Sequence, residues 1–187
     1  TAHPGADYFI DLTTGIRLPA TNSVFGGNSL FLGTDAKRVS LYQKAGHLTF
    51  AEDGLFLRNV TWGHWDKGKN PSINGRVTVL STPSRPCSFV SDNMDAGHTF
   101  TGPWSGDAGT AIEVYANAPA VYHNYTLSLL GDLGRYFGRI RVYRCAALRL
   151  GETTFPGTLV MDNEKGAGDL KTVDATTAVA VGTLELT

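Results

Sequence analysis

The chain predicts an all-β protein, a right-handed parallel β-helix, on three observations. Apolar-x-apolar triplets recur along it, whereas no long segment carries apolar residues at i, i+3, i+4 and i+7. These strand cores are shorter than sandwich strands, and no Asn-Gly or Asp-Gly pair joins two well-alternating ones. Asn74-Gly75 and Asp53-Gly54 each have one good flank only. The steps from Leu30 to Leu55 to Val77 each match one coil, within the roughly 20–29 residues of known solenoid repeats. An antiparallel β-sandwich is the alternative architecture.

In chain order the cores are Tyr8-Phe9-Ile10, Leu30-Phe31-Leu32, Val39-Ser40-Leu41, Leu48-Thr49-Phe50 and Leu55-Phe56-Leu57. Next come Val77-Thr78-Val79, Ile112-Glu113-Val114, Leu127-Ser128-Leu129 and Ile140-Arg141-Val142. Leu148-Arg149-Leu150, Leu159-Val160-Met161 and Leu184-Glu185-Leu186 complete the series. In most, two apolar residues flank an outward one and a turn former follows, as in Leu32-Gly33 or Leu150-Gly151. Such a strand buries two or three side chains and needs a neighbour on either side.

The 187 residues suit one domain, 1–187, with a real core. At 42% hydrophobic and 18% charged the balance is globular, and the 22 glycines are spread as turns rather than gathered in a linker. A net charge of −1 without a basic block argues against a nucleic-acid partner. No apolar run approaches the roughly 20 residues that span a bilayer, so no membrane partner is expected. The chain begins at Thr1 and reads as a piece of something longer. Cys87 and Cys145 have no zinc spacing; a disulfide or two buried thiols are both open.

The aromatic stretch Trp62-Gly63-His64-Trp65 is the leading functional candidate. In a strand, Trp62 and His64 share a face and Trp65 takes the other. Indole faces stack on sugar rings, but the same side chains can cover a coil end. The loop that follows supplies Asp66, Lys67 and Asn70 to hydrogen-bond hydroxyls. Trp104 lies in another glycine-rich bend, as a platform or a lid on the core. Tyr115, Tyr122 and Tyr125 cluster downstream, packing their rings with hydroxyls reaching water, and Tyr115 joins the candidate set. Asp92-Asn93-Met94-Asp95 lacks the carboxylate density of a calcium loop. No cofactor and no metal ligand set is therefore expected, with one structural calcium left open. No Gly-x-Ser-x-Gly elbow, HExxH or carboxylate constellation points to catalysis.

Several segments resemble the β-helical rungs of bacterial autotransporter-associated repeat proteins. Gly131-Asp132-Leu133-Gly134-Arg135-Tyr136-Phe137-Gly138-Arg139-Ile140-Arg141-Val142 is similar to their glycine-rich turn and following strand. Ala147-Leu148-Arg149-Leu150-Gly151 and Gly182-Thr183-Leu184-Glu185-Leu186 are similar to their second strand. Phe25 to Leu32 and Ser105 to Gly109 resemble an opening rung and a turn. The resemblance implies a β-helix that is secreted or at a bacterial cell surface. The aromatic stretch and Ser84-Arg85-Pro86-Cys87 depart from those repeats. β-helices of this kind also serve as carbohydrate-binding modules of polysaccharide-degrading enzymes. That likeness implies a monomeric, non-catalytic module for a plant cell-wall glycan such as xylan, tethered to a catalytic domain. A structural stalk or adhesin segment is the first alternative, and a polysaccharide lyase or hydrolase the second.

Overall fold

The computed structural model of the chain describes residues 5–11, 15–18, 20–50, 54–64, 70–91, 96–117, 125–162, 168–172 and 176–187. Every strand pairing between coils is parallel, and the strands build a β-solenoid of three sheets. The first coil is β1 (Asp7–Ile10), β2 (Ile16–Arg17) and β3 (Ser23–Phe25). The second is β4 (Ser29–Leu32), β5 (Val39–Tyr42) and β6 (His47–Phe50), and the third β7 (Gly54–Leu57), β8 (Val60–His64) and β9 (Ser72–Asn74). The fourth is β10 (Val77–Val79), β11 (Cys87–Ser91) and β12 (Gly97–Phe100). The fifth is β13 (Trp104–Gly106), β14 (Ala111–Ala116) and β15 (Tyr125–Leu129). The sixth is β16 (Arg135–Tyr136), β17 (Arg139–Tyr143) and β18 (Ala146–Leu150). β19 (Thr153–Met161), β20 (Asp169–Thr172) and β21 (Val179–Leu186) close the stack.

The first strands of successive coils form sheet A, the second strands sheet B and the third strands sheet C. Leu30, Leu55, Val77 and Trp104 are register partners in sheet A, so the spacing read from the sequence is the coil itself. All twelve sequence-derived cores fall within strands. Period-two geometry then sorts each strand into inward and outward positions. In sheet B, Val39, Val60, Cys87, Ile112, Ile140 and Leu159 stand in one inward row and are 0–1% exposed. Successive side chains of the row meet from coil to coil, and full burial of each aliphatic one contributes about 1.5–3 kcal/mol.

The coil corners demand close backbone approach. A Cβ on Gly102 would stand 1.9 Å from the carbonyl oxygen of Gly75, and one on Gly131 1.9 Å from that of Gly102. From β17 to β18 the corner is two residues, Arg144 and Cys145, both left-handed at φ 52° and 59°. The left-handed region costs a non-glycine residue about 1–2 kcal/mol, so the tight corner is held by the in-register pairs on either side. Cys145 is half-buried there, Cys87 is buried in β11, and the two are not bridged. Burial pushes the Cys87 thiol up to about 11, only partly offset by its hydrogen bond with Ser81.

Gly102→Ala is expected to destabilise the chain by about 1–3 kcal/mol or more, because the obstacle is backbone that cannot step aside. Gly109→Ala, with nothing near the added Cβ, should leave the urea midpoint in place. A thiol-specific reagent should titrate one cysteine, Cys145, in the folded chain, and both only after unfolding.

Candidate functional site

Two predicted platforms are core residues. Trp62 and Trp104 are each 1% exposed. Trp62 follows Val60 by two positions in β8, so it inherits the inward face. Its indole stands 5.6 Å from Phe100, edge to face, and 6.3 Å from Phe89. Trp104 occupies the inward row of Leu55 and Val77, with Phe100 at 5.1 Å and Tyr136 at 6.3 Å. Neither can stack on a sugar, and truncating such a residue to Ala costs about 3–5 kcal/mol. Trp65, Asp66 and Lys67, and with them Tyr122 and Asp92 to Asp95, lie outside the described residues. Asn70 is exposed just before β9, and Tyr125 is fully buried.

His64 shares the inward face with Trp62, as the alternation predicts, and its ring centroid lies 5.4 Å from that of His98. His98 Nδ1 and the Tyr125 hydroxyl are 2.8 Å apart. Burial, then the charge of His64, pushes the His98 imidazole well below its ordinary 6.5. This cluster is enclosed by sheets B and C and is part of the core.

Tyr115 stands half-buried on the outer face of sheet B, stacked on Tyr143 at 5.0 Å and 17°. Around this pair the polar groups are spent on one another. The Tyr143 hydroxyl donates to Glu113 Oε2 at 3.2 Å, and Arg141 Nε donates to Asp162 Oδ2 at 2.8 Å. Arg141 also lies 3.6 Å from Glu113, and Arg139 grips Glu185 with both Nη atoms. Arg38 donates to Asn59, Thr61 and the Pro86 carbonyl. Burial works against the Arg141 charge, but Asp162 and Glu113 outweigh it and raise its pKa. Burial, then the Glu113 charge, raises that of the Tyr143 hydroxyl. Neither group can serve as a base near neutral pH. A shallow pocket of about 200 Å³, lined by Pro83, Pro86, Glu113 and Arg141 among others, opens beside them.

The outer face of sheet A is built differently. Phe9, Phe31, Phe56, Thr78, Ser105 and Arg135 are register partners in one outward row. The phenyl rings stack at 4.6 Å (9°) and 4.4 Å (16°), following the coil spacing, and Phe9 is 73% exposed. Ring edges thus form an apolar ridge whose first ring keeps one face open. Thr78 and Ser105 hydroxyls lie 3.1 Å apart in the middle of the row. The row ends at a pocket of about 300 Å³ lined by Arg76, Arg135, Asp132, Ser105, Pro103 and Trp104. Arg76 and Arg135 are exposed, and neither is tied up by an ion pair or side-chain hydrogen bond among the described residues. Sequence reasoning missed this face, although Phe9, Phe31 and Phe56 are the middle residues of three triplets it had read as strand cores.

Among the described residues no three His, Cys, Asp or Glu side chains gather to hold a metal. Because His98 stays neutral in the fold and protonates in the unfolded chain, the unfolded state binds more protons below about pH 6.5. Stability is then full above that pH and falls beneath it by up to about 1.4 kcal/mol per unit. Urea midpoints at about pH 7.5 and pH 5 should reveal this drop, and His98→Gln should lessen it. Compared with protein-family models, curated proteins and solved structures, the chain matches none.

Proposed function

We propose that the chain is a non-catalytic carbohydrate-binding module that holds an extended polysaccharide along the outer face of sheet A. One observation carries this reading: six outward side chains in register, passing from ring edges through hydroxyls to the Arg135 guanidinium, which like that of Arg76 beside it has no ion-pair or side-chain hydrogen-bond partner among the described residues. A solenoid offers the same kind of group at each coil, so its natural ligand is itself a repeating, extended chain. Apolar ring surface against sugar C–H groups, with a few polar groups fixing orientation, is the composition of a small-ligand site. The resemblance to bacterial surface β-helices and to β-helix-type modules supports a location outside the cell. A plant cell-wall glycan such as xylan is the first ligand, with a tethered catalytic domain as the beneficiary.

The lyase or hydrolase reading draws less support. Among the described residues the dense set of titratable groups on sheet B consists of partners that neutralise one another, with Arg141 and Tyr143 held protonated. The stalk reading rests on the resemblance to autotransporter-associated repeats and does not compete with a ligand on the side of the solenoid.

Native affinity gels with a polysaccharide panel test the proposal, with products assayed in parallel. Retardation is expected on at least one glycan, without new reducing ends. Phe31→Ala and Phe56→Ala should each weaken it about two- to tenfold, and Arg135→Ala should change which glycan is preferred. Unaltered migration on every polysaccharide, or variants that bind like the parent, would rule this function out.

A further inference from the structure

We infer that the glycan held on sheet A is acidic, and that the pocket at the arginine end of the row takes the anionic substituent, a carboxylate or a sulfate, of one of its sugars. The inference rests on the carbohydrate-binding reading and narrows it. The pocket is a product of stacking. The N–H groups of Leu55, Val77 and Trp104 donate to the carbonyls of Arg76, Pro103 and Asp132, so these three residues hold equivalent corner positions at the entries to coils four, five and six. Thr78, Ser105 and Arg135 hold the neighbouring outward row of the same coils. The middle coil thus presents only a proline and a serine between the arginines of the coils before and after it. That step down is the floor of the pocket, whose volume of about 300 Å³ lies at the small end of ligand sites.

Charge decides what the pocket suits. Arg76 and Arg135 stand diagonally across the floor, two coils or roughly 9–10 Å apart along the axis. Both are exposed and neither has an acidic partner among the described residues, whereas Arg139 and Arg141 on sheet B hold Glu185 and Asp162. Asp132 also lines the pocket, but its Oδ1 accepts the Gly134 N–H at 2.8 Å and is tied to its own turn. The lining therefore carries one positive charge in excess. Two like charges facing one space repel, and an anion between them removes the repulsion and draws on both. The guanidinium fork offers parallel donors matched to two oxygens of one oxyanion. Sugar hydroxyls need no such charge, since the Thr78 and Ser105 hydroxyls already stand in the row. An unsubstituted xylan would leave both guanidiniums facing water. The exposure of the two arginines does not come from an open coil end. β7 pairs with β10 on one side, and β19 lies on coil six, where Phe155 stacks on Tyr136 at 5.7 Å.

Isothermal titration with matched polymers tests this: polygalacturonate and alginate, each beside its fully esterified form, and sulfated dextran beside dextran. An acidic polymer should bind about tenfold more tightly than its neutral counterpart, and added salt should weaken the acidic arm alone. Whether the uronates or the sulfated dextran show the larger gap assigns the substituent to carboxylate or sulfate. Arg76→Gln and Arg135→Gln should each remove most of the gap and leave binding of the neutral form as it was. Arg85→Gln makes the same change of charge at an exposed turn between β10 and β11 and should leave the gap intact. All three side chains are exposed, so circular dichroism should show the parent fold in each variant. Equal affinity for acidic and neutral forms, or a gap that Arg85→Gln narrows as much as the other two, overturns the inference and leaves the carbohydrate-binding reading standing. No binding of any polymer, charged or neutral, removes that reading and this one with it.

Discussion

The structure depends on parallel pairing in register between neighbouring coils. A strand of three or four residues cannot hold itself together, and here each one inside a sheet is flanked by a strand of the coil before and the coil after. The free energy of the fold is then close to a sum of nearest-neighbour terms. That additivity explains why glycines at the corners matter more than their size suggests. Gly75, Gly102 and Gly131 set how near one coil can come to the next, and coil spacing is the one length that every row shares.

The same constraint turns single residues into ladders on the outside. On sheet B the ladder is ionic and closed: Glu113, Arg141 and Asp162 stand in successive coils and neutralise each other. Asp162 is 1% exposed, and the Arg141 guanidinium on it offsets the cost of burying its charge. On sheet A the ladder is aromatic at one end and cationic at the other, and its charges are uncommitted. A face whose donors already have partners contributes to cohesion. One whose donors lack them can exchange water for a ligand, at less cost to the fold.

How much of this was legible depends on what each position asks of its residue. Coils with aliphatic inward pairs, such as Leu55-Phe56-Leu57 or Ile140-Arg141-Val142, announce themselves by alternation and were read in place. The strands that went unread put other chemistry inward: His98 in β12, Trp104 in β13, Cys87 and Phe89 in β11. The site was read less well. Tryptophan was taken for a surface platform because it is seldom wholly buried, yet a narrow three-sided interior needs large rings to fill it. Trp62, Phe89, Phe100, Trp104 and Tyr136 interlock across its middle. Parity with Val60 carried the correct answer for Trp62, and it weighed against residue type. Phe31 and Phe56 hold the outward position of their triplets, yet neither joined the candidate site. Single phenylalanines between leucines do not look like a continuous face until the rows are stacked.

If the sheet A face binds as proposed, its geometry sets the kind of ligand it would take. The row from Phe9 to Arg135 runs with the axis, so a ligand that follows it would meet one side chain per coil. A polymer long enough to touch several of them would combine contacts that are weak one by one. A ligand of one or two sugars would gain nothing from that arrangement. Such a face would discriminate by polymer length before sugar identity, since coil repeats are better suited to counting units than to recognising any one of them.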